Sequence, residues 1–215
     1  MKNNITELVF ILDRSGSMAP LVSDTIGGFN AMLDRQKREQ GGCYVTTVLF
    51  DNRIDILHDR LPLEKVPPMT RKEYQPGGST ALLDAVGDTV RHIARIHRYA
   101  RPEDVPENTV VVITTDGLEN ASRRYRRDEI KKLIEHEQEK YGWTFLFLGA
   151  NIDAFETAEG LGIDRQHSSN FHADGRGLGA GFRSMDRAVS GVRREKAVPL
   201  AWKEEVEADF YGRSD

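Results

Sequence analysis

Nearly continuous apolar runs alternate with amphipathic segments along the chain. The runs Glu7 to Leu12, Val110 to Ile113 and Trp143 to Leu148 lack polar alternation, which is typical of strands buried on both faces of a parallel sheet. Apolar positions at helical spacing between and after these runs predict helices over residues 23–40, 80–99, 128–140, 152–161 and 182–193. The pattern therefore predicts strands and helices that alternate over most of the chain.

Two further extended segments complete the predicted sheet. Tyr44 to Phe50 is β-branched and aromatic, and a polar turn at residues 51–53 leads into Ile54, so this region predicts a hairpin with an antiparallel edge strand. Ser168 to His172 predicts a short last strand. Together the elements indicate an α/β fold, a doubly wound and mostly parallel sheet with one antiparallel edge strand and helices on both faces.

Length and spacing suggest one domain followed by a tail. At roughly 150 residues per domain, a chain of 215 residues favours one compact unit, which we place at residues 1–194. Residues 195–215 are acidic and contain aromatic residues, and Trp202, Val206 and Phe210 recur every fourth position. This spacing predicts a short amphipathic helix that either docks on the body or frays.

Composition and charge argue against several classes of protein. Hydrophobic residues make up 39% and charged residues 30%, which excludes disorder as the main state. The formal charge of -4 gives no general attraction for phosphate backbones, so nucleic acid is not an expected partner. Cys43 is the single cysteine, and the first apolar run is too short for a signal peptide or a membrane span. We expect a cytoplasmic protein with a buried, reduced thiol and no membrane association.

Oxygen-bearing side chains cluster where the predicted strands end. Asp13, Ser15 and Ser17 follow the first strand, Thr80 comes after a glycine pair at the start of the second helix, and Asp116 follows a second buried strand. Loops at the carboxyl ends of parallel strands meet at one edge of the sheet, so these residues are expected to converge. Carboxylates and hydroxyls without clustered Cys or His suit Mg²⁺ or Mn²⁺ rather than Zn²⁺.

The charge of this ligand set favours an acidic partner. Two carboxylates only neutralise a divalent cation, and hydroxyls are neutral donors. The cation therefore stays electrophilic and keeps a position for another ligand, which an acidic side chain suits.

The three motifs resemble those of the von Willebrand factor type A (vWA) domain. They are Asp13-Arg14-Ser15-Gly16-Ser17, Thr80 within Gly-Gly-Ser-Thr-Ala-Leu, and Thr-Thr-Asp116-Gly, in the family's order over residues 5–193. They are similar to the family's metal-ion-dependent adhesion site (MIDAS). The resemblance implies a Rossmann-like sheet, a Mg²⁺ bound directly by Ser15, Ser17 and Thr80 and often through water by Asp13 and Asp116, and a Glu or Asp from a partner protein that completes the coordination.

The chain looks like the intracellular, stand-alone bacterial members of this family. That resemblance implies an intact metal site and a role as an adaptor or subunit of a larger complex, for example with AAA+ ATPases or in resistance to stress or toxic anions.

Three alternative interpretations of these residues remain open: one structural and two functional. Asp13, Ser15 and Ser17 could form a polar turn that caps a helix. A Mg²⁺-dependent phosphoester hydrolase is a second alternative. We expect no enzyme, because the three loops contain no His or Cys that could act as nucleophile or base, and their carboxylates are already assigned to the ion. A third alternative is a structural subunit whose metal stabilises the fold.

Arginine-rich, glycine-rich and acidic segments outside the three motifs give weaker indications of further binding sites. Four arginines follow Asp116 and form either a solvated loop or a rim that reads acidic groups of the partner; they are Arg123, Arg124, Arg126 and Arg127. The glycine-rich segment from Gly175 to Gly181 is similar to a phosphate loop but lacks the Lys-Ser or Lys-Thr pair, so no nucleotide site is expected there. The acidic tail could also reach the metal of a neighbouring molecule, or be a solvated helix.

Overall fold

The structure is a computed structural model that describes residues 3–213. These residues form one six-stranded sheet. The strands are β1 (Ile5–Asp13), β2 (Gly42–Phe50), β3 (Ile54–Pro62), β4 (Asn108–Thr115), β5 (Thr144–Gly149) and β6 (Ser168–Asn170). Their order across the sheet is β3-β2-β1-β4-β5-β6. All neighbouring pairs are parallel except β2 and β3, which form the antiparallel hairpin at one edge. The predicted mostly parallel sheet with one antiparallel edge strand is confirmed.

Helices cover both faces of this sheet. They are α1 (Val22–Gln36), α2 (Leu82–Tyr99), α3 (Arg127–Tyr141), α4 (Ala154–Gly160), α5 (Gly175–Glu195) and α6 (Glu204–Gly212). Short 3-10 turns occupy Gly16–Leu21, Leu63–Lys65, Pro102–Asp104, Arg165–His167 and Leu200–Lys203. Among the described residues, no helix combines the length and the apolar character that a membrane crossing requires.

Side chains of β1 alternate between two hydrophobic cores. Leu8, Phe10 and Leu12 belong to the core that also holds residues of α1, α5 and α6. Val9 and Ile11 belong to the core formed with α2, α3 and α4. All five are fully buried, because successive residues of a strand face opposite sides of the sheet and helices cover both sides.

The largest difference from the predicted elements lies at the start of α5. The sequence pattern predicts this helix from residue 182, whereas it begins at Gly175, so the glycine-rich segment forms its first two turns. Asp174 caps the helix by accepting a hydrogen bond from the Gly177 amide at 2.8 Å. A Cβ atom at Gly177 would lie 2.4 Å from the His172 carbonyl oxygen. Glycine disfavours helices locally, and close packing overrides that preference here.

The ends of other helices and strands differ from the predicted ends by smaller amounts. The first helix ends at Gln36 rather than at residue 40, because a turn at residues 37–40 connects it to β2. The second helix begins at Leu82, so Thr80 lies in the preceding loop and not within the helix. The last strand is three residues long. Cys43 is buried, as expected, and burial raises the pKa of its thiol to about 12.

Residues 200–212 pack against the body of the protein. Trp202 is 1% exposed and Val206 is fully buried, and both belong to the core shared with α1 and α5. The Trp202 indole N–H donates to the Gln166 carbonyl oxygen at 2.8 Å. The predicted amphipathic helix therefore forms within the described residues and docks rather than frays.

Candidate metal centre

Three loops meet at the carboxyl edge of the sheet beside β1 and β4. These strands are parallel neighbours, with Leu12 paired to Thr114, so Asp13 and Asp116 follow adjacent strand ends. The glycine loop before α2 is bound to the loop after β1 by two backbone hydrogen bonds. The Gly16 amide donates to the Gly78 carbonyl oxygen at 3.1 Å, and the Gly77 amide donates to the Arg14 carbonyl oxygen at 2.9 Å.

Hydroxyl groups connect the candidate ligands to one another. The Ser17 hydroxyl donates to Asp116 Oδ1 at 2.6 Å and lies 3.0 Å from the Ser15 hydroxyl oxygen. A Cβ atom built on Gly117 would lie 3.6 Å from Thr80 Oγ1 and 4.0 Å from Ser17 Oγ. The structure thus brings the predicted hydroxyls and Asp116 to one place.

Asp13 is held from three sides. Its Oδ1 accepts a hydrogen bond from the Ser15 amide at 2.7 Å, and its Oδ2 accepts one from the Thr115 hydroxyl at 2.6 Å. The Tyr74 hydroxyl donates to its carbonyl oxygen at 2.5 Å. Asp13 is fully buried. These hydrogen bonds fix the orientation of the carboxylate, and its remaining lone pairs can face a cation directly or through water.

Thr80 is positioned through its backbone. Its amide donates to Asn120 Oδ1 at 2.9 Å, and its carbonyl oxygen accepts hydrogen bonds from the amides of Asn120 and Ala121 at 3.0 and 3.2 Å. The residue is buried, and its hydroxyl forms no hydrogen bond with another side chain or backbone group of residues 3–213. The hydroxyl is therefore available as a ligand.

Three residues that support the site had no assigned role from the sequence. Thr115 lies inside the Thr-Thr-Asp-Gly motif, and its place directly before Asp116 was the available signal. Tyr74 lies 61 positions after Asp13, and Asn120 lies 40 positions after Thr80, so neither spacing indicates a contact. Only the folded chain brings these two side chains to the ligands.

The carboxyl groups of Asp13 and Asp116 have no compensating cationic side chain among residues 3–213. Burial raises the pKa of Asp13, and its hydrogen bonds oppose that rise only in part. Burial also raises the pKa of Asp116, and the neighbouring charge of Asp13 adds to the effect. Neither carboxylate forms an ion pair with another described residue. A divalent cation would neutralise this uncompensated charge.

The donor chemistry fits a hard cation. Within residues 3–213, no group of three or more His, Cys, Asp or Glu side chains is placed to bind a metal. The candidate centre instead combines two carboxylates with three hydroxyls, which are all oxygen donors. Mg²⁺ and Mn²⁺ accept such ligands, and each keeps water or a further carboxylate in its remaining positions.

The four predicted rim arginines do not lie together. Arg123 and Arg124 line a cleft beside the candidate centre. Arg126 lies 3.5 Å from a carboxylate oxygen of Asp128 and is 78% exposed. Arg127 begins α3 and lies against Gly160 of α4, where a Cβ atom would come within 3.0 Å of its guanidinium. Of the four, only Arg123 and Arg124 line this cleft, together with Ser79 and Ala81 on either side of Thr80.

Asp84 of α2 holds the loop that carries these two arginines. Its carboxylate accepts hydrogen bonds from the amides of Arg123, Arg124 and Tyr125 at 3.0, 2.9 and 3.1 Å. Burial opposes ionisation, but these three amides and the Arg124 guanidinium outweigh it and lower the pKa of Asp84. No motif or spacing in the sequence indicates this role for Asp84.

The Asp84→Ala variant is expected to lose about 2 kcal/mol of unfolding free energy in urea titrations, because three amides lose a charged acceptor. Asp88→Ala is the matched control. Asp88 contacts Arg124 and Tyr125 through their side chains only, at 2.6 and 3.1 Å, and its side chain is 34% exposed, so we expect a loss below about 1 kcal/mol. Equal losses in the two variants would contradict the role of Asp84.

The comparisons with known proteins identify the fold. No family model and no curated protein matches the chain. Among solved structures, the vWF domain of the type V pili tip protein Mfa5 from Porphyromonas gingivalis has a TM-score of 0.62 at 11% identity, covering 90% of this chain and 98% of that one. Manganese-loaded Plasmodium vivax TRAP protein has a TM-score of 0.59 at 16% identity, covering 80% and 70%.

A von Willebrand factor type A protein from Catenulispora acidiphila has a TM-score of 0.58 at 14% identity. The match covers 86% of this chain and 43% of that one, so the chain spans less than half of that protein. At these identities the similarity shows the fold alone: the chain has the Rossmann-like α/β fold of vWA domains.

Proposed function

We propose that this protein is a metal-dependent protein interaction module. In this proposal a divalent cation, Mg²⁺ or alternatively Mn²⁺, binds at Asp13, Ser15, Ser17, Thr80 and Asp116, and a Glu or Asp of a partner protein completes its coordination. The observation that carries the proposal is the pair of buried carboxylates without an ion pair among the described residues, beside serine hydroxyls from the loop after β1. Solved vWA structures that contain metal ions, such as the manganese-loaded TRAP protein, give further support.

Each side chain has a separate task in this proposal. The hydroxyls of Ser15, Ser17 and Thr80 bind the cation, whereas Asp13 and Asp116 balance its charge, in part through water. When bound there, the cation would act as a Lewis acid toward a carboxylate of the partner. Neutral hydroxyl ligands leave that attraction strong, and the buried surroundings of Asp13 reduce its screening by water.

The wider role is also a proposal. We place the interaction domain at residues 1–194 and the tail at residues 195–215, and we propose an adaptor or subunit of a larger cytoplasmic complex, of the intracellular bacterial type. We propose binding rather than catalysis, because the three loops contain no His or Cys that could serve as a base or nucleophile and the carboxylates of Asp13 and Asp116 are assigned to the cation.

Affinity capture from a lysate of the source cells tests this function. Wild-type protein is expected to retain a partner in Mg²⁺ and to release it in EDTA, and mass spectrometry identifies that partner. The Thr80→Val variant should fail to retain it. Valine keeps the shape of threonine, and the Thr80 hydroxyl donates no hydrogen bond to a described residue, so the change removes little besides a metal ligand.

Thr89→Val is the matched control for this capture. It makes the same change on α2, at a buried hydroxyl that has no hydrogen-bond partner among residues 3–213. We expect this variant to retain the partner and to melt no lower than wild type.

Mg²⁺ should raise the melting temperature of wild type, because a ligand that binds only the folded state stabilises it. Retention in EDTA, or by Thr80→Val, would refute the proposed mechanism.

A further inference from the structure

We infer that a cleft beside the candidate metal centre binds a second acidic group of the same partner, so that the recognised segment carries two carboxylates. This inference rests on the proposed function. The cleft has a volume of about 860 Å³. It is lined by the turn between β2 and β3, by the glycine loop and by the loop after β4; its residues include Arg53, Ser79, Asn120, Arg123 and Arg124. We call it the arginine cleft.

The arginine cleft carries uncompensated positive charge. Arg53 and Arg123 are exposed, and neither forms an ion pair with another described residue. Arg124 is paired, with its guanidinium 2.6 Å from Asp88 and 3.5 Å from Asp84. Asp84 is the one carboxylate among the described lining residues, and three backbone amides already occupy it. Among the described lining residues of the cleft, an entering acidic group would meet two guanidinium groups without ion pairs and no carboxylate besides Asp84.

Internal hydrogen bonds fix the two loops that carry the free arginines. In the loop after β4, the Glu119 carboxylate accepts from the Leu83 amide at 2.9 Å and from the Ser122 amide and hydroxyl at 2.7 Å each. In the turn between β2 and β3, the Arg53 amide donates to Asp51 Oδ1 at 2.6 Å. The backbones that carry Arg53 and Arg123 are thus ordered before a partner arrives, which lowers the entropic cost of binding.

The arginine cleft borders the candidate metal centre through residues that flank or hold Thr80, although none of the five candidate ligands lines it. Ser79 lines the cleft and directly precedes Thr80, and Asn120 lines the cleft while its side-chain oxygen accepts from the Thr80 amide at 2.9 Å. A peptide whose acidic residue reaches the cation therefore has the cleft beside it. Guanidinium groups bind carboxylates through paired hydrogen bonds, so the expected second group is another Asp or Glu a few residues away.

A phage-displayed library of random dodecapeptides tests this inference. The library is selected on the full chain in Mg²⁺ and eluted with EDTA, once for wild type and once for the Arg53→Glu/Arg123→Glu variant. Wild type should enrich peptides with two acidic residues within about four positions of each other. The double variant should enrich peptides with one acidic residue and a nearby Lys or Arg. Peptides enriched on wild type should bind the double variant roughly three- to tenfold more weakly, because exposed ion pairs contribute modestly.

Two controls separate the inference from the proposed function. Arg95→Glu makes the same charge change on an exposed part of α2 outside the cleft and should keep the wild-type preference. The Mn²⁺ affinity of the double variant should equal or exceed that of wild type, since the added negative charge attracts cations. Wild-type peptides with one acidic residue and no second charge preference would overturn the inference alone. A library from which EDTA elutes nothing would overturn both.

Discussion

The Asp116→Asn variant is expected to bind Mn²⁺ roughly 100-fold more weakly than wild type, measured by isothermal titration calorimetry. Asparagine keeps the shape of the side chain and an oxygen that accepts the 2.6 Å hydrogen bond from Ser17. It removes one of the two negative charges of the site. The loss of affinity would therefore report the charge and not a disrupted loop.

The same variant without metal is expected to melt at the wild-type temperature or above it. Burial and the charge of Asp13 raise the pKa of Asp116 in the folded protein. A carboxyl group whose pKa is raised by folding costs stability once the pH rises through its unfolded value, so its ionised form opposes folding at neutral pH. The neutral amide of the variant would carry no such cost. Weak Mn²⁺ binding by a variant that is at least as stable as wild type would therefore indicate that Asp116 serves the metal and not the fold.

Asp128→Asn is the control for this experiment. Asp128 lies at the start of α3, its side chain is 58% exposed, and its contact with Arg126 is distant at 3.5 Å. Its substitution should change neither Mn²⁺ affinity nor melting in the absence of metal. If Asp116→Asn bound Mn²⁺ as wild type does, the centre would not hold the cation in the proposed way.

The Trp202→Ala variant is expected to lose about 3–5 kcal/mol of unfolding free energy. Trp202 is 1% exposed within the core shared with α1 and α5, and its indole N–H bond to Gln166 would also be lost. Alanine would leave a cavity in the core that also holds the fully buried Val206 of α6. Urea unfolding followed by circular dichroism measures this loss without relying on tryptophan fluorescence.

Leu200→Ala is the control for the tail. Leu200 is 90% exposed in the same 3-10 turn, so its loss should change stability by less than about 0.5 kcal/mol. A loss below about 1 kcal/mol for Trp202→Ala would mean that residues 200–212 contribute little to the fold. A large loss would make the tail part of the same cooperative unit as the sheet.

The sequence predicted best those strands that are buried on both faces, where nearly every position requires an apolar side chain. β1, β4 and β5 lie between two layers of helices, so nearly every position must be apolar and the signal is continuous. The start of α5 could not be predicted in this way. Its glycines are poor helix formers, and at Gly177 glycine is needed because the backbone of His172 approaches too closely for any side chain.

The sequence by itself determined the chemistry of the candidate centre: two carboxylates and three hydroxyls, each shortly after a predicted strand or at the start of a predicted helix. Local spacing within each motif and the rule that parallel strands end at one edge were sufficient for that. Only the tertiary structure decided what surrounds these ligands. Tyr74, Asn120 and Asp84 contact residues about 40 or more positions away, and Arg53 joins Arg123 in one cleft across the sheet edge. Such contacts leave no periodic trace in the chain, because they depend on how the loops pack and not on local residue spacing.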